Sequence, residues 1–187
     1  MLKNIINKKL IIYVLKFLLF FCFLYFGTLA IIGLSAPGGY YSDFIANHLN
    51  FISWLRSSLL GTSKLLLSMF GYPIFLEDQY IIRMHNGAAV RMVYSCVGYG
   101  VMSFWGAFIL ANTVLWQKKI VWILSGWIII WCINVIRICL VLMAANKHWA
   151  TPLGFDHHTW FNIAAYFFLF TLIYFYDLSE KRNYKTI

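Results

Sequence analysis

Four apolar runs dominate the chain, at about residues 10–34, 97–115, 120–143 and 160–176. Each is close to the roughly 20 residues that carry an α-helix across the hydrocarbon of a bilayer. In that solvent an open chain cannot satisfy its own N–H and C=O groups, so runs of this length predict spanning helices. Composition agrees, at 62% hydrophobic and 11% charged residues, far to the apolar side of soluble domains. A chain of 187 residues is then most economically one integral membrane domain, residues 1–187. The first run is too long for the core of an ordinary signal peptide. "GLSAPGGY" offers only a poor small-residue cleavage site, ending before Pro37, so an uncleaved span is expected.

The formal charge of +9 does not call for nucleic acid. Basic residues gather at the cytoplasmic ends of membrane spans, and a lipid bilayer is the partner that this composition implies. Lys3, Lys8 and Lys9 precede the first run, Lys118 and Lys119 link the second to the third, and Lys181, Arg182 and Lys185 follow the fourth. Placing all three clusters inside makes four spans alternate correctly. The expectation is a multi-pass protein of the cell's inner (cytoplasmic) membrane, with both termini cytoplasmic and residues 35–95 and 144–159 outside.

Between the first two runs, Ser53, Arg56, Ser57, Gly61, Lys64 and Ser68 recur at spacings of three and four. Phe51, Ile52, Leu55, Leu59, Leu66 and Met69 take the other side. This predicts an amphipathic helix in the interface or against the bundle; a tilted further span is the alternative. "QYIIRMHNGAAVRMVY" then carries Asn86-Gly87 between strand-forming runs. That pattern predicts strands at about residues 79–85 and 88–94 joined by a two-residue turn. Glu77, Asp78, Arg83, His85 and Arg91 read mostly as solvated or headgroup-facing charges. The fold class is therefore an all-α polytopic membrane protein of about four to six transmembrane helices, with an amphipathic helix and a short extracytoplasmic β-hairpin.

Chemistry enters at "VYSCVGYG", where the hairpin meets the second run. Cys96 has a polar approach there, whereas Cys22, Cys132 and Cys139 lie within spans and read as small hydrophobes. The chain has no C-x-x-C pair, so a dithiol centre or Cys-rich metal site is poorly supported, and no cofactor or metal is implied. Arg137, inside the third run, is costly at that depth and calls for a protein or water-filled environment. Asn134, three residues earlier, shares its helical face. "FDHHTW" puts Asp156, His157 and His158 at the outer entrance of the fourth run. The charge-derived topology thus gathers a thiol, a guanidinium and an imidazole on one side of the membrane. Such a set supports acyl transfer: a thiolate nucleophile, a guanidinium that stabilises its charge, and an imidazole that moves protons. Plainer readings stand beside it. Arg137 can be a structural charge satisfied by helix carbonyls, and the His pair can be interfacial or metal-binding.

In these residues the sequence resembles the exosortase/archaeosortase family of membrane-embedded cysteine transpeptidases, most clearly over residues 72–176. The carrying elements are Cys96-Val97-Gly98 at a span entrance, Asn134-Val135-Ile136-Arg137 in a later span, and His157-His158 at the start of another. Val97 stands where Ser or Thr is frequent, and Asn162 where the family's His-x-x-x-Gly spacing has Gly. The resemblance implies Cys96 as nucleophile, Arg137 as its electrostatic partner and His158 as acid/base, with His157, Asn134 and Asp156 as alternative or supporting residues. The implied partners are secreted proteins carrying a C-terminal recognition motif, a hydrophobic helix and a basic tail. An acyl-thioester would pass to an acceptor nucleophile that the sequence does not identify. Two other classes stay open: a non-catalytic membrane assembly or export factor, and a small anion carrier anchored on Arg137. The carrier should often show internal repeats, and none is visible.

Overall fold

The computed structural model describes residues 2–36, 38, 40–149 and 157–184; for residues 2–7, 157, 158, 161 and 182–184 it describes the backbone alone. The described residues form five α-helices and a small sheet: α1 (Leu2–Ser35), α2 (Phe51–Met69), α3 (Tyr99–Ala111), α4 (Trp116–Asn146) and α5 (His157–Tyr184). A π-helical turn, Ile45–Leu49, precedes α2. Three strands, β1 (Ile74–Asp78), β2 (Ile81–Met84) and β3 (Ala89–Arg91), follow it. A 3-10 turn, Tyr94–Val97, leads into α3.

Among the described residues three helical segments are long and apolar enough to cross a membrane: Lys8–Ser35, Trp116–Asn146 and Asn162–Lys181. The run expected at residues 97–115 makes a helix of only 13 residues, Tyr99–Ala111. At 1.5 Å per residue that is about 20 Å, short of the roughly 30 Å hydrocarbon core. Asn112 stops it: its side-chain amide donates back to the Phe108 carbonyl at 2.7 Å. Lys119 Nζ donates to the Leu110 carbonyl at 2.8 Å, satisfying another orphaned acceptor of the last turn. Lys118 and Lys119 accordingly lie in the first turn of α4 rather than in the connecting link.

Two compact units divide these elements. The first holds Met1–Ile52 and Tyr99–Ile128. There α1 packs on α3 through rings: Phe17 and Phe21 meet Phe104 edge-on, and Tyr25 lies against Tyr99. Trp105 donates its indole N–H to the Trp122 carbonyl at 2.9 Å, and Trp127 donates to the Met102 carbonyl at 3.0 Å. Gly126 makes the first of these possible, since a Cβ there would collide with the Trp105 indole. The outward side of α1 is apolar, with Leu19, Phe23 and Phe26 exposed. Such a surface suits lipid rather than water.

The second unit comprises Ser53–Gly98 and Ile129–Ile187. Its core joins Leu59, Leu60 and Leu67 of α2 to Ile74, Ile82, Met84 and Met92 of the sheet region and Val135, Ile138, Cys139 and Leu142 of α4. The α2 helix forms as its periodicity predicts, but its inward stripe differs from the expected one. Arg56 and Ser63 are buried with Leu59, Leu60 and Leu67, while Trp54, Leu65 and Met69 are exposed. The reason is aromatic: the Arg56 guanidinium lies 3.8 Å from the Tyr80 ring centroid and 4.7 Å from that of Tyr94.

The expected hairpin is part of a three-stranded antiparallel sheet, in the order β1-β2-β3. Its loop has three residues rather than two, because Met84 N–H donates to the Ala88 carbonyl at 3.0 Å. Only Asn86, at φ 55°, is left-handed among the non-glycine residues of that loop. Gly87 serves instead for close approach: a Cβ would strike Asn146, whose Oδ1 accepts the Ala88 N–H at 3.2 Å. The extra strand β1 pairs Ile74 with Met84 and Leu76 with Ile82, with an irregularity before Asp78. Arg83 donates to Glu77 at 2.7 Å across that pair.

Candidate active site

Cys96 sits in the 3-10 turn that ends the sheet region, with its N–H donating to the Val93 carbonyl at 2.9 Å. The turn closes at Gly98, which adopts φ 87°. A side chain is disfavoured there on two counts. The left-handed conformation strains other residues, and a Cβ would collide with the Asn134 side-chain amide. That amide donates to the Val97 carbonyl at 3.2 Å. Asn134 is 1% exposed, and its Oδ1 has no hydrogen-bond partner among the described residues. The turn is thus clasped from α4 by a buried polar side chain that only glycine at 98 admits.

One helical turn further along α4, Arg137 reaches the same segment. Its Nη1 donates to the Cys96 carbonyl at 3.1 Å and its Nη2 to Cys96 Sγ at 3.1 Å. A planar fork can hold a backbone oxygen and a sulfur at once, which fixes the thiol relative to the turn. A donor aimed at sulfur also stabilises negative charge when it develops there. Neither group is fully enclosed: Cys96 and Arg137 are half-buried. They line a cavity of about 120 Å³ together with Leu60, Val90, Met92 and Ile138. Its walls are apolar, and its polar contribution comes from the two arginines, Arg91 and Arg137, and the thiol.

The remaining cysteines lie elsewhere. Cys22 and Cys132 are exposed on apolar helices, and Cys139 is buried, with its thiol directed at the Ser63 carbonyl at 3.8 Å. Cys139 is enclosed by the core, whereas Cys96 has a cavity beside it. Among the named candidates, therefore, Cys96, Asn134 and Arg137 are brought together. The α5 helix begins at His157. The side chains of His157 and His158, and all of Asp156, lie outside the described residues.

The model of the family described as Transmembrane exosortase (Exosortase_EpsH) matches residues 10–176. The chain belongs to the transmembrane exosortase family. No curated protein and no solved structure matches it. The match covers most of the spanning helices and the whole Cys96–Asn134–Arg137 cluster, so this exosortase-family chain carries the cluster inside the matched region.

Sequence reasoning missed Arg56. The helical period places it on the polar side of α2, yet it is 2% exposed and stacked on Tyr80 and Tyr94. Tyr94 is the first residue of the turn that carries Cys96. An arginine between two tyrosines distant in sequence leaves no periodic trace. The available hint was a basic residue flanked by Leu55 and Leu59 in an otherwise hydroxyl-rich stripe.

Proposed function

We propose that this exosortase-family protein is a membrane-embedded cysteine transpeptidase acting on the C-terminal sorting signals of secreted proteins. The observation that carries the reading is the paired contact of one guanidinium with the carbonyl and the Sγ of Cys96, each at 3.1 Å. A structural arginine needs only carbonyl acceptors; one that also addresses the sulfur supports a nucleophilic role for the thiol.

The chemistry follows from those contacts. The Cys96 thiolate attacks the carbonyl carbon of the scissile peptide bond, and a C–S bond forms. Negative charge moves to the carbonyl oxygen, where the Arg137 fork is a candidate donor as it leaves the sulfur. As the tetrahedral species collapses, the C–N bond breaks and the amine leaves with a proton. The family resemblance assigns that proton transfer to His158, with His157 as the alternative and Asp156 supporting the helix start. An acceptor amine or other nucleophile then attacks the thioester, forms its own bond to the acyl carbon and returns the electron pair to sulfur. Water in that role would give hydrolysis.

Orientation belongs to the same proposal. If α3 crosses despite its length, the three basic clusters put both termini in the cytoplasm and the Cys96 turn at the outer face of the cytoplasmic membrane. A substrate whose hydrophobic helix lies in the bilayer with its basic tail inside would then present its recognition motif at the level of Cys96.

The test is covalent capture. Membranes containing the protein and a co-expressed secreted protein with a motif–helix–basic-tail terminus are treated to trap thioesters. The captured fragment should map to Cys96, and Cys96→Ala should abolish both capture and processing at equal membrane levels. Normal processing by Cys96→Ala would favour an assembly or export factor. Reporters at Lys119 and the C-terminus should read cytoplasm and one at Asn86 outside; an outside reading at Lys119 would overturn the orientation.

A further inference from the structure

Among the described residues the sheet stops at β3, and the manner in which it stops bears on the substrate. Met84 N–H donates to the Ala88 carbonyl, and Met92 N–H to the Tyr80 carbonyl. With Ile82 opposite Val90, the bonded pairs of this antiparallel ladder are therefore 80/92, 82/90 and 84/88. The residues between them, Ala89 and Arg91, direct their N–H and C=O groups away from β2. Both are exposed, whereas Val90 between them is half-buried. The edge continues into the candidate site: Val90, Arg91 and Met92 line the same cavity of about 120 Å³ as Cys96 and Arg137.

We propose that the outer edge of β3, unpaired among the described residues, is the strand to which an extended segment of the substrate polypeptide adds, and that this pairing carries the scissile bond to Cys96. The inference rests on the acyl-transfer reading above and names how the substrate is held. A helical segment would satisfy its own backbone and leave the edge unused. An extended segment supplies the missing donors and acceptors, and alternate side chains then fall on one face. One such side chain enters the cavity, whose walls of Leu60, Val90, Met92, Ile138 and Val141 select an apolar group. The opposite edge of the sheet is a poorer candidate. β1 is separated from β3 by β2, and its register breaks between Leu76 and Asp78. Such irregularity is a common way of blunting an edge.

The probe is a synthetic C-terminal fragment of the protein captured on Cys96, presented to the full-length protein in lipid nanodiscs. Each backbone amide on the N-terminal side of the cleavage position is N-methylated in turn. Pairing with an edge uses every second amide, so KM should rise about tenfold at alternate positions and little between them, with kcat nearly constant. A flat scan, or losses without that alternation, would overturn the proposal. Ala89→Pro removes one outward N–H while leaving the β2–β3 ladder its bonds, a substitution edge strands tolerate. It should raise KM about tenfold, and an unchanged KM would count against the edge. Should that variant fail to fold, the methylation scan on the natural chain still decides. Processing that needs Cys96 but shows a flat scan removes the edge alone. Processing that survives Cys96→Ala, or capture that never occurs, removes the catalytic reading and the edge with it.

Discussion

The two compact units bury different kinds of group. In the first, contacts are rings and indoles, and two buried polar side chains serve helices: Thr28 donates to the Leu24 carbonyl and Lys119 to the Leu110 carbonyl. In the second, three polar side chains from α2 and α4 converge on one turn. Asn134 holds the Val97 carbonyl, Arg137 holds Cys96, and Arg56 stacks on Tyr94 at the start of the same turn. Burying a guanidinium or an amide is costly unless it is partnered. The first unit sets its buried ammonium, Lys119, against a helix end, and the second gathers its guanidinium and amide groups around a cysteine. The difference teaches that the first unit is organised for packing in lipid and the second for holding Cys96 in a defined geometry.

The largest effects should come from the groups proposed to make and break bonds. Cys96→Ser should lower processing by about three orders of magnitude or more, and His158→Ala should do likewise, with His157→Ala milder. Neighbours on a helix point about 100° apart, so the two imidazoles cannot serve the thiol equally. Single-turnover processing with membrane levels matched checks this. The reverse order would move the role to His157, and normal rates in both would remove histidine from the mechanism.

Arg137→Lys comes next, with a loss of about a hundredfold in kcat. Removal of one charge-stabilising donor typically costs that much, and an ammonium cannot span the Cys96 carbonyl and Sγ as the fork does. Arg137→Lys processing at the natural rate would mean that the contact to sulfur is incidental, and the contrast between the units would lose its functional meaning.

Much of this arrangement was legible in the sequence. Apolar runs of membrane length announce helices because the bilayer leaves the backbone few choices. Asn134 and Arg137 share a face because three residues are nearly one turn, and both reach the Cys96 segment. The illegible parts carry no periodic signature. Strand β1 shows a buried residue only at Ile74, so no alternation betrays it. Asn112 ends α3 inside a run that reads as apolar throughout. Arg56 looks like a surface residue until Tyr80 and Tyr94 fold against it.

Arg56 sharpens the comparison because it touches the turn without touching the thiol. A desolvated cation–π contact is worth about 2 kcal/mol, so losing it should loosen Tyr94 and the residues after it. Arg56→Met should lower kcat about tenfold with KM nearly unchanged, and should slow alkylation of Cys96 relative to Cys22. Tyr94→Phe retains the ring and should stay close to the natural protein in both measurements. A fall in thermal stability with an unaltered alkylation rate would make Arg56 a packing residue only.

The smallest effect on chemistry should come from the tightest contact of the other unit. Trp105 reaches the Trp122 carbonyl only because Gly126 lacks a side chain. Gly126→Ala places a methyl group where the indole lies, so the indole must withdraw and its N–H loses a partner. Overpacking of this kind costs about 1–3 kcal/mol, and an orphaned indole donor adds to it. Thermal stability in nanodiscs should therefore drop. The rate per folded molecule should remain within about twofold, because Trp105 and Trp122 belong to the unit that lacks the Cys96 turn. The measurement is processing rate normalised to the folded fraction at a temperature well below the transition. A normalised rate that falls tenfold would show that packing in the first unit sets the geometry at Cys96, and the division of labour between the units would fail.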